Sequence, residues 1–225
     1  MKILPSIYHS TDGGKTLFRE DLDETYHSRH GAIAESLHVF IKEGLNFYLD
    51  QNPKKELFIL EIGFGTGLNA MLSLLEANAK NIGINYSSLE TIPLPYSLVK
   101  QLDYQAHWGI EREINFEHIH ACDWNVEQAI NSNFVLTKIE QGLEDYKPNE
   151  QFDLLFFDAF APDKQPELWE LSVFEKLFNA TKKGGVLVTY SSKGDVRRSL
   201  QKAGFEVEKI AGPPRKRHML RAIKR

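Results

Sequence analysis

The stretch Phe58-Ile-Leu-Glu-Ile-Gly-Phe-Gly-Thr-Gly-Leu-Asn69 constrains the fold more than any other part of this chain. An apolar run from Phe58 to Ile62 ends at three glycines in alternate positions, Gly63, Gly65 and Gly67. Leu68, Met71, Leu72 and Leu75 then recur at helical spacing. The pattern predicts a strand, a tight turn and a helix. Glycine suits such a turn because it adopts positive φ readily and has no Cβ to hold a ligand away. The helix start offers free N–H groups and partial positive charge to whatever lies against it.

A pyrophosphate fingerprint would read G-x-G-x-x-G. Here the spacing is G-x-G-x-G, and Glu61 stands two residues before Gly63. A carboxylate repels a phosphate and attracts an ammonium or a sulfonium. Spacing and charge therefore favour S-adenosyl-L-methionine over NAD, FAD or ATP. Gly63, Phe64, Gly65, Gly67 and Asn69 would line that ligand, with Glu61 near its methionine. The plainer alternative is a tight strand–helix turn that holds nothing. Ile84 to Leu89 predicts a second strand, ending at Glu90. An acid at that tip can accept hydrogen bonds from both ribose hydroxyls of an adenosine.

At 225 residues and 42% hydrophobic content the chain can bury one core, so a single domain is the default. One cysteine, Cys122, excludes an internal disulfide framework and a cysteine-rich zinc site, and no metal is expected. No segment resembles a signal peptide or a membrane span, which predicts a soluble, cytoplasmic protein. A net charge of −4 gives no global nucleic-acid footprint. Charge is nevertheless lopsided. From Lys193 onward there are eleven Lys or Arg against three acids, +8 in this tail and −12 elsewhere. Arg215-Lys216-Arg217 falls at a predicted loop tip, where it could meet phosphate oxygens. A solvated basic face is the plainer reading.

In chain order, Met1 to Asn52 reads as an extension: an Asp12-Gly13-Gly14 turn, a hairpin or loop, and a helix over Glu35 to Leu49. The acids Asp21 to Glu24 read best as a solvated helix start, followed by Tyr26, which could close over a pocket. The core would occupy 53–225. A helix is predicted from Tyr96 to about Trp108, opened by Pro93 and Pro95. Phe116 to Ala121 and Phe134 to Ile139 read as strands, with a hairpin-like excursion around Asp123 between them. After Ile139, Glu144 or Asp145 could contact adenine, unless Leu143 holds that place. Leu154 to Phe157 is continuously apolar, as a central parallel strand is, and delivers Asp158 at its carboxyl end. Asp158 either caps a turn into the Pro162 loop or faces a transferable methyl. A helix over Leu168 to Thr181, a turn over Lys182 to Gly185, a strand over Val186 to Tyr190 and a helix over Asp195 to Ala203 follow. Phe205 to Ile210 and His218 to Ile223 form a final antiparallel pair.

Glu61-Ile-Gly-Phe-Gly-Thr-Gly-Leu-Asn69, Asp158-Ala-Phe-Ala-Pro162 and Gln165-Pro-Glu-Leu-Trp169 together resemble the methyltransferase part of the tRNA 5-methylaminomethyl-2-thiouridine biosynthesis bifunctional protein family. Arg19 to Tyr26, Val196 to Phe205 and Arg215 to Leu220 add to the likeness, which runs from about Thr16 to Ala222. The resemblance implies an α/β, Rossmann-like, seven-stranded methyltransferase, its sheet mostly parallel with a C-terminal antiparallel hairpin. It also implies methyl transfer from S-adenosyl-L-methionine to 5-aminomethyl-2-thiouridine at the tRNA wobble position, with Asp158 holding the amine. Tyr26, Glu90 and Glu144 would face the cofactor. Pro162, Trp169, Arg197, Arg198, Arg215, Lys216 and Arg217 would face tRNA. These residues leave no room for the family's FAD-dependent domain, so a separate enzyme would supply the aminomethyl group. A methyltransferase acting on a small amine or a protein, and a non-catalytic binder of the cofactor or of RNA, remain as alternatives.

Overall fold

The computed structural model describes residues 4–10, 14–28, 31–102, 104, 116–148 and 151–225. Its frame is an eight-stranded sheet. In chain order the strands are β4 (Glu56–Ile62), β5 (Gly83–Glu90), β6 (Glu127–Asn131), β7 (Phe134–Glu140), β8 (Phe152–Phe157), β9 (Thr181–Thr189), β10 (Glu206–Ala211) and β11 (His218–Ile223). They lie in the order β10-β11-β9-β8-β4-β5-β7-β6. β9, β8, β4, β5 and β7 run parallel, while β6, β11 and β10 are antiparallel to their neighbours. Three short strands, β1 (Ser6–His9), β2 (Lys15–Arg19) and β3 (Glu24–Thr25), make a separate antiparallel sheet. The predicted Asp12-Gly13 turn lies outside the described residues.

The sheet is covered on both faces, and side-chain alternation assigns the layers. On β4, Leu57 and Ile59 join one core while Leu60 and Ile62 join the other. The first core is closed by the helix over 32–51 (α1), whose middle Leu37–Asn46 is π-helical, and by α2 (Leu68–Lys80). Phe40 of α1 packs on Phe156 of β8 with centroids 5.2 Å apart. The N-terminal extension is thus part of the core's cover. The second core is closed by helices over Leu171–Ala180 and Gly194–Ala203. The shorter helix Tyr96–Val99 continues as a 3₁₀ turn over Lys100–Leu102, and most of its predicted remainder lies outside the described residues.

Three expectations are corrected. Phe116–Ala121 is a helix, because Phe116 and Ile119, both buried, stand three apart, a helical spacing. A strand would send them to opposite faces. The strand expected there falls instead on β6, which pairs with β7 across Ser132-Asn133. Among the described residues the sheet therefore has eight strands, β6 at its edge, where the resemblance implies seven. The Lys182–Gly185 turn is not a boundary but an irregularity within β9: Phe152 pairs with Thr181, yet Leu154 pairs with Val186.

Candidate active site

Strand β4 sits where the sheet order turns, with β5 on one side and β8 on the other. Open α/β sheets bind ligands in the crevice beyond the carboxyl ends at such a point. A cavity of about 990 Å3 occupies it. The turn after β4 forms one wall. Gly63, Gly65 and Gly67 all have positive φ, at 94°, 51° and 72°. A Cβ on Gly63 would stand 2.8 Å from the Asp158 carbonyl oxygen, so this turn passes too close to β8 for any other residue. Gly63 and Phe64 donate backbone hydrogen bonds to the Leu89 carbonyl at 3.0 Å each, which ties the turn to the end of β5.

Glu90 completes that wall. Its carboxylate accepts N–H bonds from Gly65, Thr91 and Ile92, each at 2.9 Å. Burial still pushes its pKa up, against those bonds. Asp158, just past β8, faces the same cavity and takes a 2.9 Å bond from Asn69 Nδ2. Burial pushes the Asp158 carboxyl up to about 7, and the Glu35 charge adds to the effect. The Asn69 bond and the Lys216 charge oppose it. Tyr26 comes from the N-terminal sheet and lies against Gly65, its ring 5.1 Å edge-on from Phe160.

Glu61 is placed differently from its expected position. It is fully buried beneath the cavity and is not among the cavity-lining residues. Ser88 Oγ donates to its Oε2 at 2.6 Å, and Asn69 and Tyr86 also favour its charged form. Burial drives its carboxyl up to about 8, and neighbouring Asp158 adds to that. β4 explains the inversion. Its side chains alternate, and the last turn of the strand hides Glu61 while exposing the backbone from Gly63 onward.

The remaining predicted residues divide. Phe64, Asn69, Leu143 and Glu144 line the cavity. Leu143 is buried, whereas Glu144 is exposed and folds back over Gly142. Lys176 Nζ fixes this turn by donating to the Leu143 and Glu144 carbonyls at 2.9 and 2.6 Å. Pro162 is half-buried in the loop after Asp158. Trp169 lies under that loop in the second core, donating 2.8 Å to the Phe160 carbonyl and packing on Phe157. It shapes the wall without facing the cavity. Arg197, Arg198, Arg215 and Arg217 are exposed, and Arg198 pairs with Asp195. Lys216 turns inward to the cavity and pairs with Glu35.

A set of residues with no signal in the sequence holds the glycine turn. His120 Nε2 donates to the Thr66 carbonyl at 3.1 Å, and Tyr104 donates to Thr66 Oγ1 at 3.3 Å. His27 bonds Thr16 Oγ1 at 3.1 Å and approaches Thr66 Oγ1 at 3.5 Å, joining the N-terminal sheet to the turn. Burial pushes both imidazoles down to about 4, so they are neutral at pH 7. These partners run from Thr16 to His120 along the chain, and only the fold assembles them.

The walls fit S-adenosyl-L-methionine. The turn is stripped of Cβ atoms where a ligand would approach, and the Glu90 and Asp158 carboxylates face the same cavity from the ends of β5 and β8. Known proteins agree. A family described as S-adenosyl-L-methionine-dependent methyltransferase matches residues 109–225, just over half of the chain. The tRNA 5-methylaminomethyl-2-thiouridine biosynthesis bifunctional protein MnmC of Idiomarina loihiensis is 32% identical over 212 residues, covering 88% of this chain and 35% of that protein. Its counterpart in Methylobacillus flagellatus is 30% identical over 215 residues, covering 88% and 32%. The chain thus spans about a third of the length of these curated relatives. The crystal structure of MNMC2 from Aquifex aeolicus superposes with a TM-score of 0.74 at 27% identity, over 100% of this chain and 72% of that one. Spermidine synthase from Thermotoga maritima shares the fold, with a TM-score of 0.58 at 15% identity over 97% and 67%. A glycine turn, the cavity carboxylates of Glu90 and Asp158 and a family match over half its length place this chain among the S-adenosyl-L-methionine-dependent methyltransferases.

Proposed function

We propose that this methyltransferase acts on the exocyclic amine of 5-aminomethyl-2-thiouridine at the wobble position of tRNA. The observation that carries the reading is Asp158. It is a half-buried carboxylate at the end of β8, aimed by Asn69 into a cavity that the glycine turn walls. The names of the MnmC relatives and of the Aquifex structure supply the substrate.

S-adenosyl-L-methionine supplies a methyl group already activated by its positive sulfur, so the protein's task is to position and to handle a proton. An alkylamine with a lysine-like pKa is mostly protonated at pH 7 and has no lone pair to give. Asp158 can hold that ammonium, accept one of its protons and leave the lone pair directed along the cavity. A carboxyl near 7 is suited to taking and releasing a proton at neutral pH. Asn69 fixes one Asp158 oxygen, which leaves the other for the amine. Glu90 takes the ribose hydroxyls, and Tyr26 closes the side toward the N-terminal sheet. Leu143 packs against the adenine, with Glu144 beside it. Arg197, Arg198, Arg215 and Arg217, with Pro162 near the entrance, meet the tRNA backbone and anticodon loop. A separate aminomethyl-forming enzyme supplies the substrate.

The test is direct. The protein is incubated with methyl-labelled S-adenosyl-L-methionine and tRNA lacking the wobble methyl, and the digested nucleosides are identified. Label in 5-methylaminomethyl-2-thiouridine is expected. Label only in small amines or protein would overturn the substrate, and tight cofactor binding without transfer would overturn the activity.

A further inference from the structure

Three residues from distant elements meet at one corner of the cavity: Glu35 of α1, Tyr190 just after β9, and Lys216 in the loop between β10 and β11. Glu35 is 8% exposed, a burial that a carboxylate tolerates only with partners. Its Oε2 accepts the Ser28 N–H at 2.9 Å, and its Oε1 pairs with the Lys216 ammonium. That ammonium stands 4.5 Å from the Tyr190 ring centroid, within cation–π reach. Tyr190 is itself fixed, because its hydroxyl donates to the Ala159 carbonyl at 2.8 Å. Asp158 feels both charges, Glu35 raising its pKa and Lys216 lowering it.

A primary ammonium on a four-carbon stem therefore already lies against a buried carboxylate and an aromatic face, within the electrostatic reach of Asp158. Those are the groups that recognise an alkylammonium of any origin. Its neighbours Arg215 and Arg217 are exposed, so the inward turn of Lys216 is specific to that side chain. We infer that Glu35, Tyr190 and Asp158 form the subsite for the substrate's alkylammonium, and that Lys216 occupies it as an internal surrogate until substrate displaces it. The inference rests on the amine reading of the substrate and assigns Glu35 and Tyr190 to its specificity.

The probe is ethylammonium, titrated into the full chain by NMR. In the wild type, the Lys216 Cε resonance should move toward its free-lysine position as ethylammonium is added; a resonance that stays in place overturns the inference without any variant. Lys216→Met removes the competitor and should tighten ethylammonium at least about fivefold. On that background Glu35→Gln should weaken it about tenfold and Tyr190→Leu about threefold. Equal affinity in wild type and Lys216→Met, with both melting alike, would reduce Lys216 to a structural tie. Ethylammonium binding involves no RNA. An unlabelled tRNA sinks the substrate reading alone, and a flat ethylammonium titration sinks the subsite alone.

Discussion

Two aspartates of one strand have opposite fates. Asp153 is the second residue of β8, and Asp158 follows its last residue. At the amino end, Asp153 is fully buried but saturated. It accepts from Lys54 at 2.7 Å, Lys182 at 2.9 Å, the Tyr48 hydroxyl at 2.7 Å and the Phe58 N–H at 2.9 Å. Those bonds outweigh burial and hold its carboxyl below the usual range. At the carboxyl end, Asp158 has Asn69 as its hydrogen-bond donor, and its carboxyl rises to about 7. The same residue type on the same strand is a rivet at one end and a poised acid at the other. Partners set the difference, because burial acts in the same direction on both.

The sharpest way to break this contrast is Asp158→Ala. Methyl transfer should fall at least about 100-fold while cofactor affinity stays within a few-fold. Single-turnover kinetics and equilibrium cofactor binding measure the two, and undiminished turnover would remove Asp158 from the chemistry. Asp153→Asn should do the reverse. It should cost about 3 kcal/mol of unfolding free energy in urea while the folded fraction keeps its activity.

The pH dependence of stability should separate the two ends as well. The depressed carboxyl of Asp153 stabilises the fold above its unfolded value near 3.8, and that contribution is lost as pH falls through its lower folded value. Asp158 and Glu61 have the opposite sign. The folded chain holds their protons more tightly than the unfolded one, so stability falls as pH rises, toward about 7 for Asp158 and about 8 for Glu61. Glu61→Gln should flatten the decline in melting temperature between about pH 5 and pH 9, raising the upper value by ~3 °C. A wild-type melting temperature that climbs across that range would mean Glu61 is charged in the fold. The smallest effect belongs to the basic tip. Arg215→Gln with Arg217→Gln should weaken tRNA binding a few-fold and lower the salt slope by about one for each phosphate left without its arginine. An unchanged slope would move the RNA surface elsewhere.

The motif Glu61 to Asn69 and the strand ending at Glu90 determined the parallel α/β core, the cofactor class and the positions of Gly63, Gly65, Gly67 and Glu90, because strand period, glycine spacing and a strand-end acid are local patterns. The continuous apolar run of β8 likewise determined that Asp158 would emerge at a ligand-binding edge. Tertiary structure alone decided which acids face the cavity. It turned Glu61 under the floor, brought Glu35 from α1 within reach of Lys216 from the last hairpin, and pinned Thr66 with His27 and His120. It also made Phe116–Ala121 a helix and gave the sheet an eighth strand. Contacts between residues far apart in the chain leave no periodicity to read, and a side chain's charge state follows from what the fold packs around it.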